Sequence, residues 1–460
     1  MDNRTGQGKK WLKIIGKCFL FTVLLFMLLS YIMPIFTVDD KRPYQMYEAF
    51  YNEKNDSVDA VIIGASNSYA SWQSAIGWGD YGIAVSMLGF ADLMPQAIRY
   101  YIEEARKTQP NALYIINANN FKSTTIKHRS IHYLTDFMPF SYTKCKLINA
   151  LCNAGNVGIF NRIEYFFPII RFHSGWDSLT SKAYSLHSNG IKGGSNYSAF
   201  LKTSTDVSSA YCNTDKSVPL ADDQEAILTD LMDYCEANNV KALFVVVPQV
   251  VESESIIGQY NTIETLVKAR GFDFVNLLSV SEIGIDYTRD YYNKKHMNVH
   301  GSLKYCAYFG KYLVDKYGFE DKRGDSLYSS WDDAYEKYST ILQEYCIVPE
   351  ITHDVIDRFE EIAEISTVTF DKDFAVLKWD MIPEAEGYEV FRKSDMGDEK
   401  AWISVGTVED GSLQYTDNGL IDNVKYTYTV VPYVYENGKK IYGYYNWGGI
   451  SGKTMTNTEK

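Results

Sequence analysis

Residues Cys18 to Val38, CFLFTVLLFMLLSYIMPIFTV, form an unbroken apolar stretch without a charge. At about 20 residues it is long enough to cross a bilayer core as a helix. Lys9, Lys10, Lys13 and Lys17 stand before it, and Asp39 and Asp40 follow. The positive-inside rule then sets the N-terminus in the cytoplasm and the bulk of the chain outside. Met33-Pro34-Ile35-Phe36 offers no small-residue cleavage site, so the pattern predicts an uncleaved single-pass anchor over residues 1–40.

From Val61 onward, short buried-strand runs alternate with helical periodicity. Strands are predicted at Val61–Ile63, Ala112–Ile116, Lys241–Val247 and Phe272–Leu277. Between and after them, helical spacing predicts Leu93–Lys107, Asp222–Asn238, Ile263–Arg270 and Gly301–Lys316. This alternation predicts an α/β domain over 41–324, a parallel sheet with helices on both faces. Residues 120–220 break the rhythm with aromatics, Ser, Asn and Gly, and read as an insertion roofing the sheet edge. The acidic stretch 325–365 reads as a helical spacer. From Ser366 to about residue 456 the period drops to two, in Val368–Phe370, Ala375–Trp379, Gly387–Phe391, Trp402–Val405 and Tyr426–Val431. That is the pattern of a small β-sandwich.

Composition narrows the function classes. Of 460 residues, 46% are hydrophobic and 22% charged, which fits folded domains rather than disorder. A net charge of −13, with no long basic stretch beyond the N-terminus, argues against nucleic acid. The 7 cysteines form no CxxC pair or zinc-like cluster and are expected to be mostly free and buried. No metal-ligand spacing or phosphate-binding glycine loop occurs, so neither metal nor cofactor is expected.

Two segments carry chemistry. Asp59-Ala60-Val61-Ile62-Ile63 leads into Gly64-Ala65-Ser66, a strand followed by a turn that would expose Ser66 at the carboxyl end of a sheet. Late in the chain, His296-Met297-Asn298-Val299-His300-Gly301 places a histidine before a helix. A serine needs a neighbouring base to become a nucleophile, and His296 is the candidate. Ser68 and His300 are weaker alternatives. In the insertion, Arg129 suits a phosphate or carboxylate and Trp176 a sugar face, although salt bridges and lid packing would use the same residues.

These blocks, with Leu88-Gly89, Asn117-Ala118-Asn119-Asn120 and Asp290-Tyr291-Tyr292-Asn293-Lys294-Lys295-His296, resemble the SGNH (GDSL-like) hydrolase superfamily over residues 58–318. The longer pattern is similar to membrane-anchored SGNH-like proteins of Gram-positive bacteria, among them the accessory proteins of lipoteichoic-acid D-alanylation. The resemblance implies a flavodoxin-like three-layer fold and an esterase or O-acyltransferase without a cofactor. The implied substrate is a cell-envelope polysaccharide or teichoic-acid-like polymer, and the implied partner a membrane-bound O-acyltransferase. It assigns Ser66 as nucleophile, His296 as base, and Gly89 and Asn119 as oxyanion donors. The superfamily places Asp three residues before the histidine; this chain has Asn293. Either Asn293 orients His296, or Asp290 replaces the missing acid, or the domain is a degenerate scaffold. Residues 366–455 resemble a fibronectin type III domain, with Trp379 in the core and Leu420 and Tyr426 forming a tyrosine corner.

Overall fold

The computed structural model describes residues 3–37, 41–184, 192–193, 214–251, 253–278, 280–287, 290–345, 363–396, 401–443, 445–446 and 448–455. Asp39, Asp40, Cys212, Cys346 and residues 346–362 of the expected spacer lie outside them.

The apolar N-terminal run folds as helix α1 (Asn3–Ile32), and Pro34 closes it into a single turn, Met33–Phe36. Within it, Lys10–Leu29 is long and apolar enough to span a membrane, and none of that window is buried against the rest of the chain.

Helix α2 (Arg42–Tyr51) leads to five parallel strands, β1 (Ala60–Gly64), β2 (Val85–Gly89), β3 (Leu113–Asn117), β4 (Ala242–Val246) and β5 (Asp273–Asn276). Their order is β2-β1-β3-β4-β5. Residues of β1 to β4 are buried throughout, as a sheet covered on both faces requires. Successive side chains separate into two cores. Val61, Ile63, Tyr114, Ile116, Phe244 and Val246 enter one, and Ala60, Ile62, Leu113, Ile115, Leu243 and Val245 the other. Four of these strands follow the sequence pattern. The fifth, Val85–Gly89, does not, because its run contains one β-branched residue and a serine; pairing with β1 decides its conformation.

Helices α3 (Ser66–Ser71) and α4 (Ser74–Tyr81) link β1 to β2, and α5 (Pro95–Ala105) links β2 to β3. The described part of the insertion is mainly helical, with α6 (His128–Thr135), α7 (Tyr142–Ala154) and the single turns α8 (Ile163–Phe166) and α9 (Pro168–Arg171). Its Ile131, Leu134, Leu147 and Leu151 are buried in the first core, so the segment is part of the domain rather than a loose roof. Then come α10 (Asp222–Ala237), α11 (Glu254–Ala269), the two short strands β6 (Tyr291–Asn293) and β7 (His296–Met297), and α12 (Val299–Tyr317).

Helix α13 (Ser329–Tyr345) falls in the stretch read as a spacer, yet it packs on α4. Trp331, Ala334, Tyr338 and Leu342 form a buried stripe at helical spacing on an otherwise acidic helix. The Trp331 indole N–H donates to Glu53 at 3.0 Å, and the Trp78 indole N–H donates to Asp332 at 2.9 Å. The acidic face masks that stripe in the sequence.

The C-terminal segment forms antiparallel strands β8 (Ile365–Phe370), β9 (Phe374–Trp379), β10 (Gly387–Ser394), β11 (Ile403–Val408), β12 (Gln414–Asn418), β13 (Lys425–Glu436), β14 (Lys439–Tyr442) and β15 (Ile450–Lys453). They make one sheet of order β12-β9-β8 and another of order β11-β10-β13-β14, with β15 also on β13. Trp379 is buried against Tyr388, ring centroids 5.5 Å apart. The Tyr426 phenol accepts the Ile421 backbone N–H at 3.0 Å, the tyrosine corner of such sandwiches.

Candidate active site

The serine turn is built around Gly64. A Cβ on Gly64 would collide with Ser68 Oγ and lie 2.8 Å from Asn117 Cβ, so no larger residue fits at the end of β1. Below the turn, Asn117 at the end of β3 donates through Nδ2 to Ser68 Oγ at 2.6 Å and to Asn67 Oδ1 at 2.8 Å. Ser68 is thus buried and committed to the scaffold. Ala65 is extended, and Ser66 begins α3, where the first N–H groups have no partner inside the helix. Ser66 stays half-buried at the switch point of the sheet, where β1 is flanked by β2 on one side and β3 on the other.

The histidine comes from the tight hairpin of β6 and β7, in which Asn293 pairs with His296 across Lys294 and Lys295. Asn293 Oδ1 accepts the backbone N–H of Lys295 at 2.9 Å and of His296 at 3.1 Å, an Asx-type turn. The same oxygen lies 3.0 Å from His296 Nδ1. Because two backbone donors identify that atom as the oxygen, Nδ1 must carry the proton and donate to it. Nε2 is then the acceptor, and it lies 2.7 Å from Ser66 Oγ, which donates to it. Tyr292 stacks on the imidazole, centroids 5.3 Å apart with an interplanar angle of 12°. Burial, and then the positive charges of Lys295 and Arg42, hold the imidazole pKa down at about 4. The ring is therefore neutral at physiological pH, with a lone pair facing a hydroxyl. This pair can move a proton from Ser66 and return it to a leaving group.

Asp290 does not reach this pair. It is fully buried, its Oδ1 receives His300 Nδ1 at 2.6 Å, and its Oδ2 receives Lys304 Nζ at 3.1 Å and the Asp286 N–H at 2.7 Å. These partners, led by His300, keep its carboxyl below the usual range despite burial. His300 is thereby turned into the interior. Asn298, whose N–H donates to the Asp290 carbonyl at 2.8 Å, caps α12 by accepting the Gly301 N–H at 3.1 Å. A Cβ on Gly301 would collide with the same carbonyl. The Asn-x-x-Gly spacing after the histidine is thus a helix start closed against a crossing chain.

Asn119 is committed elsewhere. Its Oδ1 accepts the Val247 N–H at 2.7 Å, and its Nδ2 donates to the Val247 carbonyl at 3.1 Å. Both ends of the amide thus pin the strand ends together. Gly89 closes β2 opposite Gly64. Ser66, Asn67, Leu93, Met94 and Asn119 line a cleft of about 250 Å³, together with Asp92, Lys122, Lys127 and Lys295, and Gly89 is not among its lining residues. The first residues of the insertion supply one wall. Arg129 and Trp176 lie away from the cleft. The Arg129 guanidinium donates to the Tyr133 phenol at 3.1 Å, and Trp176 meets Phe36 edge-on at 5.5 Å.

No sequence signal marks the roles of Tyr292, Lys122 and Lys295, because residues that stack on or charge a site follow no fixed spacing. Burial, and then the nearby charge of Lys295, lower the pKa of Lys122, while Lys127 pairs with Asp92 at 3.1 Å across the same cleft. Among the described residues, no group of three or more His, Cys, Asp or Glu side chains is placed to hold a metal. The five described cysteines, Cys18, Cys145, Cys152, Cys235 and Cys306, are free, and the last three are buried.

By fold, then, the chain combines a parallel α/β sheet domain with an antiparallel β-sandwich, preceded by one apolar helix. No family model matches the chain, and no curated protein matches it in sequence. Among solved structures, the C-terminal sandwich is similar to the FN3 domain of human collagen XX. Identity is 19%, coverage 22% of this chain and 95% of that one, and the TM-score 0.17. It is also similar to the FN5 domain of Drosophila Lar, with 18% identity, 21% and 95% coverage, and a TM-score of 0.17. A computationally redesigned β-sandwich protein matches at 19% identity over 21% of this chain and 97% of its own, TM-score 0.17.

Proposed function

We propose that this chain is a membrane-anchored, extracytoplasmic serine esterase or O-acyltransferase of the SGNH type, acting on acyl groups of a cell-envelope glycopolymer. The observation that carries the reading is the 2.7 Å contact between Ser66 Oγ and His296 Nε2, with the tautomer set by Asn293. Ser66 attacks the acyl carbonyl, and its proton passes to His296 Nε2. The imidazolium returns that proton to the departing alkoxide, leaving an acyl-serine. Water or a sugar hydroxyl, deprotonated by the same nitrogen, then releases the acyl group. The backbone N–H groups of Ser66, at the start of α3, and of Gly89 are the candidate oxyanion donors, since the Asn119 amide is engaged with Val247. The reaction calls on no cofactor.

Further support comes from the strand order, which is that of flavodoxin-like doubly wound sheets. Lys122 and Lys295 at the cleft suit an anionic polymer such as a teichoic acid. The lysines that precede the apolar run, Lys9, Lys10, Lys13 and Lys17, favour a cytoplasmic N-terminus, which would put the cleft on the outer side of the membrane.

The test is a fluorophosphonate serine probe on the full chain, with the labelled residue read by mass spectrometry. Labelling at Ser66, lost in Ser66→Ala and reduced about 10²–10⁴-fold in His296→Ala, supports the reading. A folded protein that takes no label overturns it. The result would then favour a second reading, a degenerate scaffold beside a membrane-bound O-acyltransferase. Asn293 in the place of an acid, and an Asn119 amide with no free end, favour that alternative.

A further inference from the structure

The insertion carries large apolar side chains that the fold leaves in solvent. Phe160 is 89% exposed and Ile159 76%, and Ile163, Ile170, Trp176 and Tyr184 are each more than two-fifths exposed. Surface hydrophobics scattered singly are ordinary, but a contiguous group marks an interaction surface. These residues lie on short helical turns that follow one another along the chain. Ile159–Arg162 runs straight into α8 and, after Phe167, into α9, and α9 packs on Met33–Phe36, the turn that closes α1. His173–Ser178 and Ser181–Tyr184 pack on that same turn, with Trp176 against Phe36.

The turn's depth follows from the span. The window Lys10–Leu29 includes three lysines, and a lysine at the centre of a bilayer costs about 2.5–3.5 kcal/mol. The uncharged run beginning at Cys18 is the better guide to the hydrocarbon. Fifteen helical residues, Cys18–Ile32, rise about 22 Å, and the four of the closing turn about 8 Å more. Together they match the roughly 30 Å of a hydrocarbon core. Phe36 then sits at the outer boundary, and Trp176, touching it, sits there too. Trp and Tyr are the residues enriched at that depth.

We infer that the exposed face of residues 159–184 lies in the outer headgroup layer of the bilayer as a second, non-spanning contact. The head domain is then seated on the lipid instead of swinging on a tether. A partner protein over the same face is the competing occupant, but the packing chain to α1 makes lipid the neighbour that geometry supplies. The inference rests on reading α1 as membrane-spanning and is independent of the chemistry at Ser66.

The test places a photoreactive benzophenone side chain at Phe160, or at Ile159, in the full-length chain, in native membranes and in phosphatidylglycerol vesicles. Leu24 in the span and Tyr435 on the sandwich are the reference positions. Lipid adducts at Leu24 and Phe160, several-fold above Tyr435, are expected. Adducts at Leu24 with Phe160 and Ile159 no higher than Tyr435 overturn the seating alone. A protein adduct at Phe160 in native membranes overturns it in favour of a partner. Absence of lipid adducts at Leu24 overturns the anchor and this inference with it.

Discussion

Asn293 performs two tasks with one oxygen. It closes a two-residue turn by accepting two backbone N–H groups, and it accepts the imidazole proton that leaves Nε2 free for Ser66. An aspartate would supply the same geometry plus a full negative charge beside the ring. Asn293→Asp should therefore raise the His296 pKa and stabilise the imidazolium formed during transfer. It is expected to label faster with the fluorophosphonate than the native chain, with its acid limb at higher pH. Asn293→Ala should label more slowly and lose some hairpin stability.

The histidine itself gives a pH signature. Its folded pKa of about 4 lies below the ordinary value of about 6.5. Between these values the unfolded chain binds the proton and the folded one does not. The stability from keeping the ring neutral is therefore complete above about pH 6.5 and is lost as pH falls toward 4. The probe's labelling rate should stay level from neutrality down to about pH 5 and fall only near 4. A midpoint near 6.5 would show that the ring is more solvated than its surroundings imply.

At the scale of elements, the hairpin of β6 and β7 is held by atoms outside it. The Asp290 carboxylate gathers His300, Lys304 and the Asp286 N–H, and its carbonyl holds Asn298. The Tyr291 phenol donates to the Pro248 carbonyl at 2.7 Å, and the Lys294 carbonyl accepts the Val250 N–H at 3.0 Å. Removing the buried Asp290 carboxylate takes the acceptor from the His300 ring and the partner from the Lys304 ammonium, which costs about 3–5 kcal/mol. Asp290→Ala should lower the thermal midpoint and slow labelling at Ser66. Asp290→Asn, of the same shape, should do less to stability. An effect on labelling with no effect on stability would contradict the scaffold role.

Much of this level was legible in the sequence, and the failures have physical causes. Helices α5, α10 and α12 and strands β1, β3, β4 and β5 follow hydrophobic period. Ser66, His296 and Asn293 follow from short motifs because local turns set their geometry. Asn119 and Asp290 were legible as polar residues in the right blocks but not in their use: Asn119 is consumed by a contact far along the chain, and Asp290 by His300 and Lys304 on the helix that follows the hairpin. Asn119 answers to Val247, 128 residues on. Strand β2 and the packed stripe of α13 were concealed for a similar reason, because both owe their structure to a partner element rather than to their own pattern.

For the whole molecule, burial defines separate cores. The core around Trp379, Val390 and Tyr428 contains only residues from 363 to 450, and Trp331 belongs to a core of the α/β domain. Trp331→Ala should cost about 3–5 kcal/mol and lower the α/β transition in calorimetry, while Trp379→Ala should lower the sandwich transition. If either substitution moved both transitions equally, the two domains would be thermodynamically one unit.

The Ser66–His296 contact joins residues 230 positions apart. During synthesis at about 5–20 residues per second, the serine emerges roughly 10–50 seconds before its histidine. Through that interval β1 gains β2 and β3 beside it, while the nascent chain holds a serine with no base. Reactivity thus arises late, all at once, when α12 closes over the hairpin. A chain stalled before Tyr291 should carry an ordered β1 turn and remain chemically silent.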